Sequence, residues 1–204
     1  MTPRTTERFT ITGPAGAIEV VANSPGPALR GIALVCHPHP LQGGTLDNKV
    51  VQTLAKAFFS LGYAAVRFNF RGVGASAGSF DEGRGETEDA LAVLADVQSR
   101  YGEALPIALA GFSFGSFVVT RVAQRIAAER LVLVGAAVNR FEVPKVPDDT
   151  IVIHGEEDDV VPLADVLAWA RPQELPVVVF PGSGHFFHGR LPQLTRIVTS
   201  MWAP

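Results

Sequence analysis

The sequence predicts an α/β fold in which a mostly parallel sheet of about eight strands carries helices on both faces. From residue 31 onward, short apolar runs alternate with apolar residues at helical spacing, and this alternation is typical of a parallel sheet. A composition of 47% hydrophobic and 18% charged residues fits a buried sheet. A Gly-x-Ser-x-Gly element at residues 111–115 lies where an apolar run changes into a helical pattern. We therefore expect functional groups at the carboxyl edge of the sheet.

The first elements predict an antiparallel edge to this sheet. Residues 9–11 and 18–21 alternate apolar and polar side chains on either side of a Gly/Pro turn at 13–16, which is typical of a hairpin with one solvated face. Residues 31–36 are apolar throughout, as expected of a strand covered on both faces.

The rest of the chain continues the alternation. Apolar runs predict strands at residues 64–69, 105–110, 131–134, 150–154 and 177–180. Apolar residues at helical spacing predict helices over residues 47–61, 86–101, 117–126, 163–170 and 191–202. Residues 135–149 contain two prolines and little helical periodicity, so we expect a loop over the rim of the sheet and no lid domain.

Composition limits the classes of protein and partner. The chain of 204 residues is expected to form a single domain over residues 1–204, and no linker or repeat interrupts it. A net charge of -3 with scattered Lys and Arg argues against a nucleic-acid partner. Residues 1–8 are polar and no apolar run reaches spanning length, so we expect no membrane partner and a cytoplasmic location. The lone Cys36 excludes an internal disulfide and agrees with a reducing compartment.

Ser113, at the centre of the Gly-x-Ser-x-Gly element, is the candidate nucleophile. A serine on a sharp turn between a strand and a helix has a strained backbone, and small residues on both sides let the two elements approach each other. Gly111 and Gly115 supply that room, and we expect an exposed serine. The turn also aims the amide of Phe114 and the helix N-terminus at negative charge that develops near the hydroxyl.

Acidic residues and a histidine follow the last two predicted strands. The acidic turn contains Asp158 and Asp159, and the loop after the last strand contains His185, with His188 near the terminal helix. A serine hydroxyl needs an imidazole to take its proton, and the imidazole needs a carboxylate to fix its tautomer. Adjacent side chains of an extended turn point apart, so only one of the two aspartates is expected to reach the imidazole.

The chain resembles an α/β-hydrolase in the order of these motifs. The Gly-x-Ser-x-Gly element, the His-Gly-x-x-Asp-x-x-Val-Pro turn at residues 154–162 and the late histidine carry the resemblance in the C-terminal half. The Cys-His-Pro-His-Pro loop at 36–40, residues 68–74 and residues 185–191 are similar to a group of small, lidless bacterial serine hydrolases. The resemblance implies Ser113 as nucleophile, Asp158 as acid and His185 as base. Asp159 is then expected near the start of the following helix, and His188 is expected to pack against or cap the terminal helix.

The second amide of an oxyanion hole is expected in the loop that follows Cys36. Pro38 and Pro40 have no N–H, which leaves the amides of His39 and Leu41. Aligning His37 with the histidine of the family selects His39, with Leu41 as the second choice.

The predicted function is that of a serine carboxylesterase or thioesterase that cleaves small soluble acyl esters through an acyl-enzyme intermediate and uses no cofactor or metal. Its partner would be a small-molecule acyl substrate, and the protein a monomer or homodimer. Serine peptidase or amidase activity is the first alternative. The less favoured ones are a non-catalytic binding protein and a zinc hydrolase with ligands from His37, His39, His185, His188 and Asp158.

Overall fold

The computed structural model describes residues 5–202, so the first four residues of the polar segment 1–8 lie outside the described part. It contains one sheet of eight strands. The strands are β1 (Thr5–Gly13), β2 (Gly16–Ser24), β3 (Gly31–Cys36), β4 (Tyr63–Phe68), β5 (Ile107–Phe112), β6 (Arg130–Val134), β7 (Ile151–Gly155) and β8 (Val177–Phe180). Their spatial order is β1-β2-β4-β3-β5-β6-β7-β8.

The pairing of the strands confirms the predicted architecture. The hairpin β1–β2 is antiparallel, and β2 joins the sheet antiparallel to β4. All other pairs, from β4 across to β8, are parallel. The carboxyl ends of β3, β5, β6, β7 and β8 therefore open at one edge of the sheet, which is where ligands bind in open α/β sheets.

Five helices lie among the described residues. They are α1 (Lys49–Ser60), α2 (Arg84–Tyr101), α3 (Phe114–Ala123), α4 (Leu163–Ala170) and α5 (Leu191–Trp202). Apolar side chains of α1 and α5 bury one face of the sheet, and those of α2 and α3 bury the other. Several predicted boundaries were wrong by one to four residues. The largest differences are in the hairpin, whose strands extend beyond 9–11 and 18–21 at both ends, in the fifth strand, which begins and ends two residues later than 105–110, and in α3, which begins and ends three residues earlier than 117–126.

Residues 135–150, between β6 and β7, contain neither helix nor strand, as the prolines predict. They cross the rim as turns, and the buried side chains of Val143 and Val146 attach them to the core. Within the described part of the chain, none of the helices combines the length and the hydropathy that crossing a membrane requires. The fold is an α/β-hydrolase fold without a lid.

Candidate active site

Ser113 occupies a strained turn between β5 and α3. Its φ of 55° and ψ of -120° are unusual for a residue with a side chain. The neighbouring glycines permit this turn. A Cβ atom on Gly111 would lie 2.3 Å from the carbonyl oxygen of Gly115, and one on Gly115 would lie 2.2 Å from the carbonyl oxygen of Cys36. Any larger residue at either position would force β3, β5 and α3 apart.

Hydrogen bonds hold the turn in this conformation. The Ser113 amide donates to the carbonyl oxygen of Val134 at 2.9 Å, which joins the turn to the end of β6. The Ser116 hydroxyl donates to the carbonyl oxygen of Gly111 at 2.8 Å. Ser113 is only 8% exposed, so the expectation of an exposed serine was wrong.

The turns that carry Asp158 and His185 are in direct contact. Asp158 lies in the turn after β7, and His185 lies in the turn after β8. The Glu157 amide donates to the carbonyl oxygen of Ser183 at 2.9 Å. A Cβ atom on Gly155 would lie 2.3 Å from that same carbonyl oxygen. The absence of a side chain at Gly155 thus lets the two turns meet.

Asp158 and His185 form a buried pair. His185 Nδ1 lies 2.7 Å from Asp158 Oδ2. The other carboxylate oxygen, Oδ1, accepts hydrogen bonds from the amides of Val160 at 3.0 Å and Val161 at 2.7 Å. Burial alone would raise the pKa of Asp158, but the hydrogen bonds from His185 and Val161 outweigh it, and the pKa lies below its ordinary value. Asp158 is therefore a carboxylate at neutral pH.

The neighbouring Asp159 is placed differently. Its side chain is exposed, while Asp158 is 5% exposed and faces His185. Asp159 also lies outside the first turn of α4, where Asp165 is the acidic residue. Asp159 precedes the first residue of α4, Leu163, by four positions, and its proximity to the helix N-terminus stays a prediction.

The imidazole of His185 lies beside the turn that holds Ser113. Its ring centroid is 4.9 Å from that of Phe112, the residue before the serine. A Cβ atom on Gly135 would lie 3.1 Å from His185 Cε1, and Gly135 follows the residue that binds the Ser113 amide. The structure thus brings Ser113, His185 and Asp158 to one edge of the sheet.

The amide of His39 is the freer of the two predicted donors in the loop after β3. The Leu41 amide donates to His39 Nδ1 at 3.2 Å, so it is already occupied. His37 Nδ1 lies 2.6 Å from the carbonyl oxygen of Pro38 and donates to it. In a trans peptide the N–H of His39 points opposite to the Pro38 carbonyl, and therefore away from His37.

His37 is held neutral in this position. Its Nε2 atom accepts a hydrogen bond from the Phe70 amide at 3.0 Å, so the ring carries its proton on Nδ1. Burial lowers the pKa of His37 from 6.5 to about 4. The sequence offered this histidine for aligning the loop and as a ligand in the zinc alternative, and did not reveal the contact with Pro38 that orients the next peptide.

Comparison with known proteins identifies the family. The model of the family described as serine aminopeptidase, S33, matches residues 39–146, which is more than half of the chain. An uncharacterized protein of Rickettsia prowazekii is 32% identical over 203 residues, a match that covers 91% of this chain and 84% of that protein. The chain belongs to this family of α/β serine hydrolases.

Solved structures place the hydrolase among lidless members. An α/β serine hydrolase homologue from Coxiella burnetii has a TM-score of 0.90 at 42% identity and covers 100% of this chain and 99% of its own. An α/β serine hydrolase without lid from Xanthomonas campestris has a TM-score of 0.91 at 35% identity. The match covers 100% of this chain and 98% of the Xanthomonas chain. The chain is also 41% identical over 80 residues to the lysophosphatidylserine lipase of Gallus gallus. That match covers 39% of this chain and 20% of the lipase.

An aromatic wall borders the site of the hydrolase. The ring of His39 packs against Phe80, Phe114 and Phe141, with ring centroids 4.6, 5.2 and 6.2 Å away. Phe80 and Phe141 lie in loops distant in sequence, and no local pattern predicts their arrival here. Phe186, by contrast, is 45% exposed on the side of His185.

Cys36 and His188 lie near the site but are placed very differently. Cys36 is completely buried at the end of β3, and burial raises the pKa of its thiol. His188 is exposed and lies near Phe186, with ring centroids 5.9 Å apart. Within residues 5–202, no three His, Cys, Asp or Glu side chains cluster so as to hold a metal ion. The zinc alternative therefore has no ligand set in the described chain.

Proposed function

We propose that this hydrolase is a serine carboxylesterase or thioesterase that cleaves small acyl esters through an acyl-enzyme intermediate. Ser113 is the nucleophile, His185 the general base and acid, and Asp158 the carboxylate that orients His185. The amides of Phe114 and His39 form the oxyanion hole. The chemistry uses side chains and amides of the chain itself.

The buried Asp158–His185 hydrogen bond beside the strained Ser113 turn is the observation that carries this proposal. Because Asp158 Oδ2 accepts from Nδ1, the unprotonated nitrogen of a neutral His185 is Nε2. That nitrogen can take a proton from a serine hydroxyl. The carboxylate then stabilises the imidazolium that forms.

The reaction proceeds by two transfers of the acyl group. Ser113 Oγ attacks the substrate carbonyl carbon while its proton moves to His185 Nε2. The imidazolium gives that proton to the departing alkoxide or thiolate, and the acyl group remains on Oγ as an ester. A water molecule then loses a proton to Nε2 and attacks this ester, and the proton returns to Oγ as the acid product leaves.

Two amides are proposed to stabilise the tetrahedral oxyanion. Phe114 is the first residue of α3, whose leading N–H groups have no partner within the helix. The His39 amide donates none of the hydrogen bonds found among residues 5–202, and the His39 ring lies against Phe114. Donors fixed before the substrate arrives need little reorganisation during the reaction.

Two comparisons bear on the leaving group. The lysophosphatidylserine lipase that shares 80 residues with this chain is named for an ester substrate, which favours ester cleavage. The family description names a serine aminopeptidase, which favours an amide substrate as the second candidate. Both reactions use the same nucleophile, base and oxyanion hole.

A panel of substrates with one acyl group and different leaving groups tests the proposal. Acetyl, butyryl and aminoacyl groups would each be offered as aryl esters, thioesters and anilides to the wild-type protein and to Ser113→Ala. We expect turnover of the esters or thioesters at least about 100-fold above the anilides, and none by the variant. Preferred cleavage of the anilides by wild type would support the aminopeptidase candidate instead.

A further inference from the structure

A second histidine, His154, contacts the carboxylate proposed to orient His185. His154 is the fourth residue of β7, is 0% exposed, and lies four residues before Asp158. Its Nε2 atom is 2.8 Å from the carbonyl oxygen of Val161 and 3.3 Å from Asp158 Oδ2. The same Oδ2 atom accepts from His185 Nδ1 at 2.7 Å.

The partners of His154 fix its tautomer. A carbonyl oxygen only accepts, so Nε2 must carry the proton that is donated to Val161. Nδ1 is then unprotonated, and this atom is buried without a hydrogen-bond partner among the described residues. A charged ring would therefore place an unpaired N–H in the core, and burial accordingly lowers the pKa of His154.

His154 also closes the acid turn. Val161 accepts from His154 through its carbonyl oxygen and donates its amide to Asp158 Oδ1 at 2.7 Å. Both oxygens of the Asp158 carboxylate are therefore linked to Val161. Oδ1 accepts from its amide, and Oδ2 contacts the His154 N–H that donates to its carbonyl oxygen. Loss of the His154 donor would release the Val161 carbonyl and leave Oδ2 held by His185 alone.

We propose that His154 is a positioning residue of this hydrolase, which holds the acid turn and aims Asp158 Oδ2 at His185. The inference rests on the proposed function, because Asp158 matters only if His185 acts as the base. The charged and titratable groups that act on the His154 ring are Asp158, from its own turn, and His185, from the turn after β8. The residue paired with it on β8 is Val179, which carries no charge.

Two amide variants separate positioning from simple core packing. In His154→Gln the side-chain N–H₂ can occupy the place of Nε2 and reach Val161. In His154→Asn the amide is one carbon shorter and falls near the place of Nδ1. Both variants bury one neutral amide, so a role in packing alone predicts losses of stability that follow side-chain volume and no difference in kcat between the folded variants.

We expect His154→Gln to keep kcat within about threefold of wild type, and His154→Asn to lose about tenfold in kcat with little change in KM. The pH profiles of kcat/KM should differ between the two variants, because only His154→Asn removes a donor from the neighbourhood of Asp158 Oδ2. Equal kcat values and equal profiles for the two variants would overturn the proposal.

The ¹⁵N shifts of the wild-type imidazoles provide a measurement that needs no activity and no folded variant. We expect His154 to be neutral and protonated on Nε2 at pH 7, because burial lowers its pKa. A ring protonated on Nδ1, or charged at pH 7, would overturn the proposal even if the protein is an active esterase. A neutral Nε2–H ring in a protein that fails to turn over any ester would instead count against the proposed function.

Discussion

A Cβ atom on Gly155 would lie 2.3 Å from the carbonyl oxygen of Ser183 and 2.9 Å from that of Gly184. These oxygens belong to the loop that presents His185, and Gly155 ends the strand that leads to Asp158. The contact between acid and base is thus set by two backbone segments that touch because no side chain separates them.

Gly155→Ala should therefore push the two turns apart. Real Cβ atoms do not approach a carbonyl oxygen to 2.3 Å, so the backbone has to move, and overpacking of this kind costs about 1–3 kcal/mol of stability. Because the Asp158–His185 hydrogen bond depends on the same contact, kcat should fall at least about tenfold. Ester turnover and urea unfolding of the purified variant measure the two effects.

Gly184→Ala is the matched control for that variant. It lies on the other side of the same contact, in the loop after β8, but a Cβ atom there would meet its nearest neighbour, the carbonyl oxygen of Glu157, at an ordinary 3.7 Å. We expect its stability and kcat to stay close to those of wild type. Equal losses of kcat and stability in Gly155→Ala and Gly184→Ala would mean that any added side chain disturbs this region. The specific role assigned to Gly155 would then be contradicted.

Asp158→Asn should reduce kcat far more than Asp159→Asn. An amide at position 158 can no longer hold the Nδ1–H tautomer of His185 as a carboxylate does, and the loss expected from other serine triads is on the order of 10⁴-fold. Asp159 is exposed, so its substitution should change kcat a few-fold at most. Steady-state rates on one activated ester decide between them, and the reverse order would transfer the acid role to Asp159.

His37 should make the stability of the protein depend on pH below neutrality. Its pKa is about 4 in the folded chain because of burial and about 6.5 when the chain unfolds. The unfolded chain therefore binds a proton in this window that the folded chain does not, so the free energy of unfolding falls as pH falls from 6.5 toward 4. The slope from this one group reaches about 1.4 kcal/mol per pH unit.

His37→Gln provides the comparison for this prediction. Glutamine retains an oxygen that can accept from the Phe70 amide but does not titrate. Urea unfolding of both proteins between pH 7 and pH 4.5 should give a shallower pH dependence for the variant, while contributions from carboxylates are common to both and cancel. Parallel curves would show that His37 is protonated equally in the folded and unfolded chains.

Short acyl groups should be preferred. The segment between β6 and β7 contains no helix, so no lid closes over Ser113, and a long chain would remain partly in water. Each methylene beyond the aromatic wall then contributes little of the roughly 0.8 kcal/mol that full burial provides. We expect kcat/KM on aryl esters to peak at acetate or butyrate, without a rise when a substrate passes its solubility limit. A preference for long chains with activation at a lipid interface would contradict this prediction.

Local patterns predicted most of the fold, and they pointed to candidate site residues that lie at one edge of the sheet, because the relevant signals are close together in sequence. Buried parallel strands are continuous apolar runs, and four elements, including β3 and α5, have the predicted bounds. The flanking glycines mark Ser113. The acidic turn after β7 marks Asp158 and Asp159 together, and the resemblance to the α/β-hydrolases selected Asp158. His185 was predicted to join them because it follows the last strand, in the chain order serine, aspartate, histidine.

The remaining features depend on contacts between distant segments. The low exposure of Ser113 and the high exposure of Phe186 depend on how the whole sheet is assembled. The aromatic wall does so too, because it joins His39 to Phe80 and Phe141 from loops far apart in sequence. The contact of His154 with Asp158 has a sequence signal, the spacing of four residues. The spacing between His154 and Asp158 becomes informative only when the turn after β7 is known to fold back on that strand.

Covalent labelling by a fluorophosphonate tests the central claim that Ser113 is a nucleophile activated by His185. Wild type, Ser113→Ala and His185→Ala would be incubated with the probe, and the labelled peptide would be identified by mass spectrometry. We expect one label on Ser113 in wild type, none in Ser113→Ala, and labelling slowed at least about 100-fold in His185→Ala, with all three proteins folded by circular dichroism. Labelling of wild type at another residue, or undiminished labelling of Ser113→Ala, would contradict the account.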